Sequence, residues 1–214
     1  MTSHSDTPKK GRIFIFSAPS GGGKTMLVRR LLTNDRTLVA SVSTTTRPPR
    51  EKEKEGVDYN FVSEPEFQRL VESGEFLEHA HVFGHRYGSR RQMVESLKSR
   101  GLDVLFDIDW QGARSIKNEY RDSASFFIVP PSEQELRRRL EERGQDSQSV
   151  IDYRMSQAKS EMSHYNEFDY VIVNNDPDEA YETLISCIAS IRKGSPAQVP
   201  DVSHIVQSML DIRD

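Results

Sequence analysis

Residues 13–16 read IFIF, residues 17–25 read SAPSGGGKT, and MLVRRLL follows. A β-prone run that delivers the chain into a glycine-rich turn, which then opens a helix, is the order that a phosphate-binding loop requires. Gly21, Gly22 and Gly23 let the backbone aim N–H groups at an anion lying on the positive end of the helix. Lys24 then bridges the outer phosphates of a nucleotide, and the Thr25 hydroxyl is suited to bind a magnesium ion. Ala18 stands where the usual pattern has glycine; a methyl is tolerated there while the residue keeps a negative φ, so the mechanism survives the departure. With Pro19 and Ser20, the whole stretch from Ala18 to Thr25 is read as a loop that binds nucleotide phosphates. The bland alternative, a glycine-rich turn with an incidental lysine, is disfavoured by the strand and helix on either side.

Four further runs, LVASV (38–42), LDVLF (102–106), FFIV (126–129) and YVIV (170–173), lack polar alternation. Strands covered on both faces of a parallel sheet look like this. Helical segments intervene. One starts at Ser132, where SEQE reads as a capping box. Another starts at Asp176, with Pro177 at its first position, Ala180, Leu184, Ile188 and Ile191 at helical spacing, and Gly194 closing it. The sum is an α/β fold of the P-loop NTPase kind, a parallel sheet flanked by helices.

Two polar stretches interrupt that core. Residues 43–100 hold strand-like pieces around DYNFV, EFLEHAHV and HRYGS and a helix capped by Ser63 and ended by Gly74, which predicts a small inserted lobe. Residues 133–165 are helical and arginine-rich, with Ile151, Met155, Ala158, Met162 and Tyr165 as a narrow apolar stripe, which predicts a lid. The core is left over 11–42, 101–132 and 166–194, between a disordered start (1–10) and a linker with a C-terminal amphipathic helix (195–214).

A chain of 214 residues is expected to form one folded unit with small inserted subdomains. Its net charge of −4 gives no reason to expect a nonspecific hold on nucleic acid or an anionic membrane. Any anionic ligand must be held by local charge. The lone Cys187 shares an apolar helical face with Leu184 and Ile188, as a buried thiol does. The run IFIF is too short for a signal-peptide core and no stretch is long enough to span a membrane, so a cytoplasmic protein is expected. His79, His81 and His85 have no cysteine or further histidine to complete a tetrahedral set, so zinc is not expected.

The string SVSTTTRPPREKEKEGVDYNF sets Arg47 and Arg50 three apart with Tyr59 further on. Two guanidinium forks beside a phenol make a clamp for a phosphate monoester. Glu51, Lys52, Lys54 and Glu55 are read as a solvated charged loop. Asp107 and Asp109 follow LDVLF, at a strand end where a carboxylate can meet ligand or magnesium-bound water, and Asp109 is equally placed to cap the helix that follows. Trp110 is read as packing.

In these strings the chain resembles guanylate kinase, the nucleoside monophosphate kinase family that moves the terminal phosphate of ATP to GMP. The matching pieces are SAPSGGGKT, STTTRPPR, EGVDYNF, GEFLEHA, YGS, DIDWQG, VPPS, RRRLEERG, DYRMSQA and VIVNND, in family order from Arg12 to Gly194. Gly22, and Thr25 with Met26, are less usual choices at their places. The resemblance implies that residues 43–100 are the GMP-binding lobe, with Arg47, Arg50, Tyr59 and Tyr87 on the GMP phosphate and Ser43, Glu78 and Ser89 on the nucleoside. Chemistry agrees for Glu78, because a carboxylate accepts from both N1–H and the exocyclic amine of guanine, a donor pair that adenine lacks. Asp107 is linked by resemblance to the arginine and metal region, and Asp109 to the GMP substrate; which of the two dominates is not readable from the string. The resemblance also places Arg139, Arg143 and Arg154 over the transferred phosphoryl group and Asn174 at the ATP base. Arg139 and Arg143, four apart on a helix, share a face, whereas Arg137 and Arg138 are read as solvated.

Two other readings compete. A non-catalytic protein-binding relative would typically lose Lys24 or the lid arginines, and all stand here. A P-loop kinase of a ribose phosphate would have no use for Glu78 and Ser43. The tail DVSHIVQSMLDIRD, with Asp201 as cap and Ile205, Val206, Met209 and Leu210 near one face, must dock on its own core or on a second copy as a homo-oligomer contact, and both stay open.

Overall fold

The structure, a computed structural model, describes residues 10–82, 84–142 and 147–210, with the side chain of Val82 also left out. The chain opens with β1 (Ile13–Ser17) and α1 (Lys24–Asn34), then the short strands β2 (Leu38–Ala40), β3 (Thr44–Thr45) and β4 (Asn60–Phe61). There follow α2 (Glu64–Glu72), β5 (Phe76–Val82), β6 (His85–Arg90), α3 (Arg91–Ser99), β7 (Asp103–Asp107) and α4 (Trp110–Glu119). The remainder is β8 (Ala124–Val129), α5 (Glu133–Glu141), α6 (Gln148–Met162), a 3-10 turn at Tyr165–Glu167, β9 (Tyr170–Val173), α7 (Pro177–Arg192) and α8 (Ser203–Leu210).

Five strands take the order β2-β7-β1-β8-β9, with β2 parallel to β7 and β8 parallel to β9. The β1 run is buried along its whole length, as is β8, which is why neither shows polar alternation in sequence. The strand expected over 38–42 stops at Ala40, because Thr44–Thr45 leaves to pair with β6 in a second sheet of order β4-β3-β6-β5.

By contacts the chain forms two units. The first gathers Arg36–Phe106 and Ser115–Ser123 with the chain up to Phe14. Its small sheet is backed by a cluster of Phe67, Leu70 and Phe76, with the two phenyl rings stacked at 4.6 Å. Ser63 caps α2 by accepting from the Glu66 N–H, and Gly74 ends the turn after it at φ 67°.

The second unit comprises Ile15–Asp35, Asp107–Arg114 and the chain from Ala124 on. Phe126 anchors it, stacked on Phe16 at 4.9 Å and on Tyr170 at 5.1 Å, and fully buried. Phe126→Ala is therefore expected to cost about 3–5 kcal/mol of stability, read by denaturant unfolding. Asp176 caps α7 through the N–H groups of Asp178 and Glu179, as its sequence predicts. At α5 the prediction is half met. Ser132 accepts from the Glu135 N–H, but the Glu135 carboxylate is drawn to Arg138 and Arg139, which hold it down at about 2, instead of closing the capping box. The stripe on α6 is buried at Ile151, Met155, Ala158 and Met162. Helix α8 packs on α6 within the same chain and buries Val206 and Met209.

Candidate active site

The turn between β1 and α1 is a phosphate loop in geometry as well as in sequence. Gly21 (φ 88°) and Gly23 (φ 91°) hold left-handed conformations that a side chain would strain. A Cβ on Gly22 would stand 3.1 Å from that of Ala18. The Ile128 and Pro19 carbonyl oxygens would stand as close, at 3.0 and 3.1 Å, so position 22 has little room for a side chain. No side chain caps α1, so its first N–H groups lie under the loop, ready for an anion. The Lys24 ammonium is 2.6 Å from Asp107 and 3.0 Å from the Ile108 carbonyl. Asp109 caps α4, accepting from the Gly112 N–H at 2.8 Å, which is the second of its two sequence readings.

Two distant residues reach this loop. The Asn174 side chain, 2% exposed, donates to the Gly22 carbonyl at 2.9 Å and fills the space beside Gly23. The side chain thus supports the loop from beneath. Arg139 donates to the Asn174 carbonyl and to Glu135, both at 2.8 Å. The second residue, Glu161 of α6, accepts from the Ser20 N–H at 3.0 Å, and burial raises its carboxyl above the ordinary range, with Asp109 adding to the effect. Arg154 is half-buried on the same helix, and Arg143 lies outside the described residues. Trp110 stacks on His164 at 3.5 Å and carries the Arg114 guanidinium on its ring.

The first unit holds the other expected group. Glu78 of β5 is opposite Ser89 of β6, and the Ser89 hydroxyl donates to the Glu78 carboxylate at 2.7 Å in a buried setting. The β3–β6 register pairs Thr44 with Gly88 and Thr45 with Tyr87, and Ser43 immediately precedes β3 in the chain. Ser89 and Glu78 therefore form a cross-strand pair, and Tyr87 falls on the same face of β6 two residues along. The Tyr59 ring meets that of Tyr87 edge-on at 5.9 Å, and the Arg47 guanidinium lies over Tyr59 at 5.2 Å. Arg47 is paired with Glu53 at 2.7 Å, and Glu53 also accepts from the N–H of the exposed Arg50. Those contacts, Arg47 foremost, hold the Glu53 carboxyl below its usual range.

Sequence reasoning missed Glu53, Glu161 and the supporting role of Asn174. Glu53 sits inside a charge run, and Glu161 and Asn174 meet loop residues 141 and 152 positions away. Among the described residues no group of three His, Cys, Asp or Glu stands ready for a metal, and no helix is long and apolar enough to cross a membrane.

Comparison with known proteins bears on the family of the chain as a whole. A sequence profile described as guanylate kinase matches residues 10–191. The chain is 48% identical over 200 residues to the guanylate kinase of Alkalilimnicola ehrlichii, covering 94% of this chain and 98% of that one. It is 46% identical over 206 residues to that of Idiomarina loihiensis, with 95% and 98% covered. The crystal structure of guanylate kinase from Anaplasma phagocytophilum superposes with a TM-score of 0.70 at 37% identity, over 94% of this chain and 96% of the other. Phosphate loop, second small sheet and buried Glu78–Ser89 pair thus occur in a sequence that matches over nearly its whole length, and the chain belongs to the guanylate kinase family.

Proposed function

We propose that this chain transfers the terminal phosphate of ATP to GMP, giving ADP and GDP. The observation that carries the reading is the buried Glu78–Ser89 pair beside Arg47, Tyr59 and Tyr87, in a chain that also holds a phosphate loop. In this reading Glu78 accepts from N1–H and the amine of guanine, with Ser43 and Ser89 alongside, while Arg47, Arg50, Tyr59 and Tyr87 hold the GMP phosphate. The loop from Ala18 to Thr25, supported by Asn174, holds ATP. Lys24 exchanges Asp107 for phosphate oxygens, and Asp109 fixes the start of α4. Arg139, Arg143 and Arg154 neutralise the phosphoryl group in flight. A GMP phosphate oxygen attacks the terminal phosphorus as the bond to ADP breaks, with no covalent enzyme intermediate.

Thr25 is exposed at the start of α1, so a magnesium ion would take its one hydroxyl and otherwise nucleotide oxygens and water, the ligand set that this ion prefers. The ion would supply charge neutralisation on the ATP phosphates. Residues 43–100 then serve as the GMP lobe, 133–165 as the lid and the remainder of 11–194 as the core, in a cytoplasmic enzyme.

Labelling the terminal phosphate of ATP tests this. The label should appear in GDP and none on the protein; label in inorganic phosphate alone contradicts the reading. A homo-oligomer through α8 would use Ile205 and Leu210, at the margins of the face already packed on α6. Removing residues 201–214 should then lower the mass in light scattering and leave activity in place, whereas an unchanged mass assigns the helix to its own chain alone.

A further inference from the structure

We propose that Glu161 is a resident anion of the phosphate loop, a positioning residue that occupies the loop when no nucleotide is bound and competes with a nucleotide phosphate for it. The inference rests on the reading of that loop as the ATP site. A ring of backbone N–H groups at a helix start is stable when an anion or water satisfies it. Here a carboxylate from the last turn of α6 takes up one of the loop's N–H groups, that of Ser20, at 3.0 Å. The charged groups facing it are Lys24 from α1 and Asp109 ahead of α4. Of the other charges on α6, Arg154 lies two turns back on the same face as Glu161 and is half-buried, whereas Lys159 pairs with Glu133 and Asp152 with Arg137, both about half a turn round the helix; His204 of α8 is exposed.

The end of α6 is also held firmly. Ala158 and Met162 are buried on either side of Glu161, and three residues on His164 stacks on Trp110 at 3.5 Å and 10° while its Nδ1 lies 2.7 Å from Glu167. The carboxylate is therefore kept at the loop by packing beyond its own hydrogen bond. Asp107 on Lys24 and Glu53 on Arg47 repeat the device, so each cationic site carries an internal anion. The consequence is a trade. ATP binds more weakly than to an unoccupied loop, and a departing ADP leaves behind a loop that Glu161 refills.

The test is equilibrium binding of ATP and of ADP, without GMP, to the full chain and to Glu161→Gln and Glu161→Ala. Calorimetry gives the affinity, and fluorescence of Trp110, the single tryptophan, reports on the same helix end. Both neutral variants should bind each nucleotide about fivefold or more tighter than the parent at about pH 8, because a competing charge is gone. As pH falls through the raised range of the Glu161 carboxyl, the parent loses that charge and the variants do not. The advantage of the variants should therefore shrink toward unity on acidification, and the titration of the nucleotide itself cancels in the ratio. A merely structural role would leave that ratio independent of pH. Either neutral variant binding no tighter than the parent at high pH, or a flat ratio, overturns the proposal. A parent that fails to bind ATP overturns the underlying loop reading along with it.

Discussion

Lys24→Met is expected to lower phosphate transfer on the order of a thousandfold or more, because it removes the ammonium, now paired with Asp107, that the proposed reaction sets on the nucleotide phosphates. The fold should persist. The Lys24 side chain is 18% exposed and its partner Asp107 38% exposed, so the loss of that ion pair costs about 1 kcal/mol or less. The glycine conformations at 21 and 23 and the Asn174 contact to Gly22 do not depend on the lysine. Turnover by initial rates and thermal unfolding on the same preparation check both halves. Near-parental turnover in a folded variant would remove the phosphate loop from the mechanism.

Glu78→Gln is expected to lower kcat/KM for GMP, also on the order of a thousandfold, with ATP affinity unchanged. The volume is conserved, but an amide offers one acceptor where guanine presents two donors, and its NH2 brings a donor to the position of a carboxylate oxygen. The Ser89 hydroxyl, 2.7 Å away in a buried setting, restricts how the amide can turn to compensate. Kinetics with GMP as the varied substrate, together with direct ATP binding, separate the two effects. Equal GMP kinetics in variant and parent would take the base reading away from Glu78.

What could be read from the sequence follows from range. Ser63, Ser132 and Asp176 cap their helices through N–H groups two or three residues on, and a cap of that kind is written in the local string. The buried runs of β1 and β8 and the inward row of α6 are also periodic signals. The pair of Ser89 and Glu78 needed the resemblance, because it is made by pairing two strands whose register no local pattern gives. Glu161, and the contact that Asn174 makes with the loop, were beyond reach for the same reason: the partners are Ser20 and Gly22, brought close only by the fold. At Glu135 the capping box was outcompeted by two arginines on the next turn, a contest between charge and backbone that spacing alone does not decide.

Release of ADP from ATP, measured with GMP, AMP, CMP, UMP and ribose 5-phosphate each in turn at equal concentration, tests the central claim most directly. GMP should support turnover, and the others should lie near the rate with no acceptor, because none of them gives Glu78 two guanine donors. Comparable ADP release with AMP or ribose 5-phosphate, or none with GMP, would contradict the assignment.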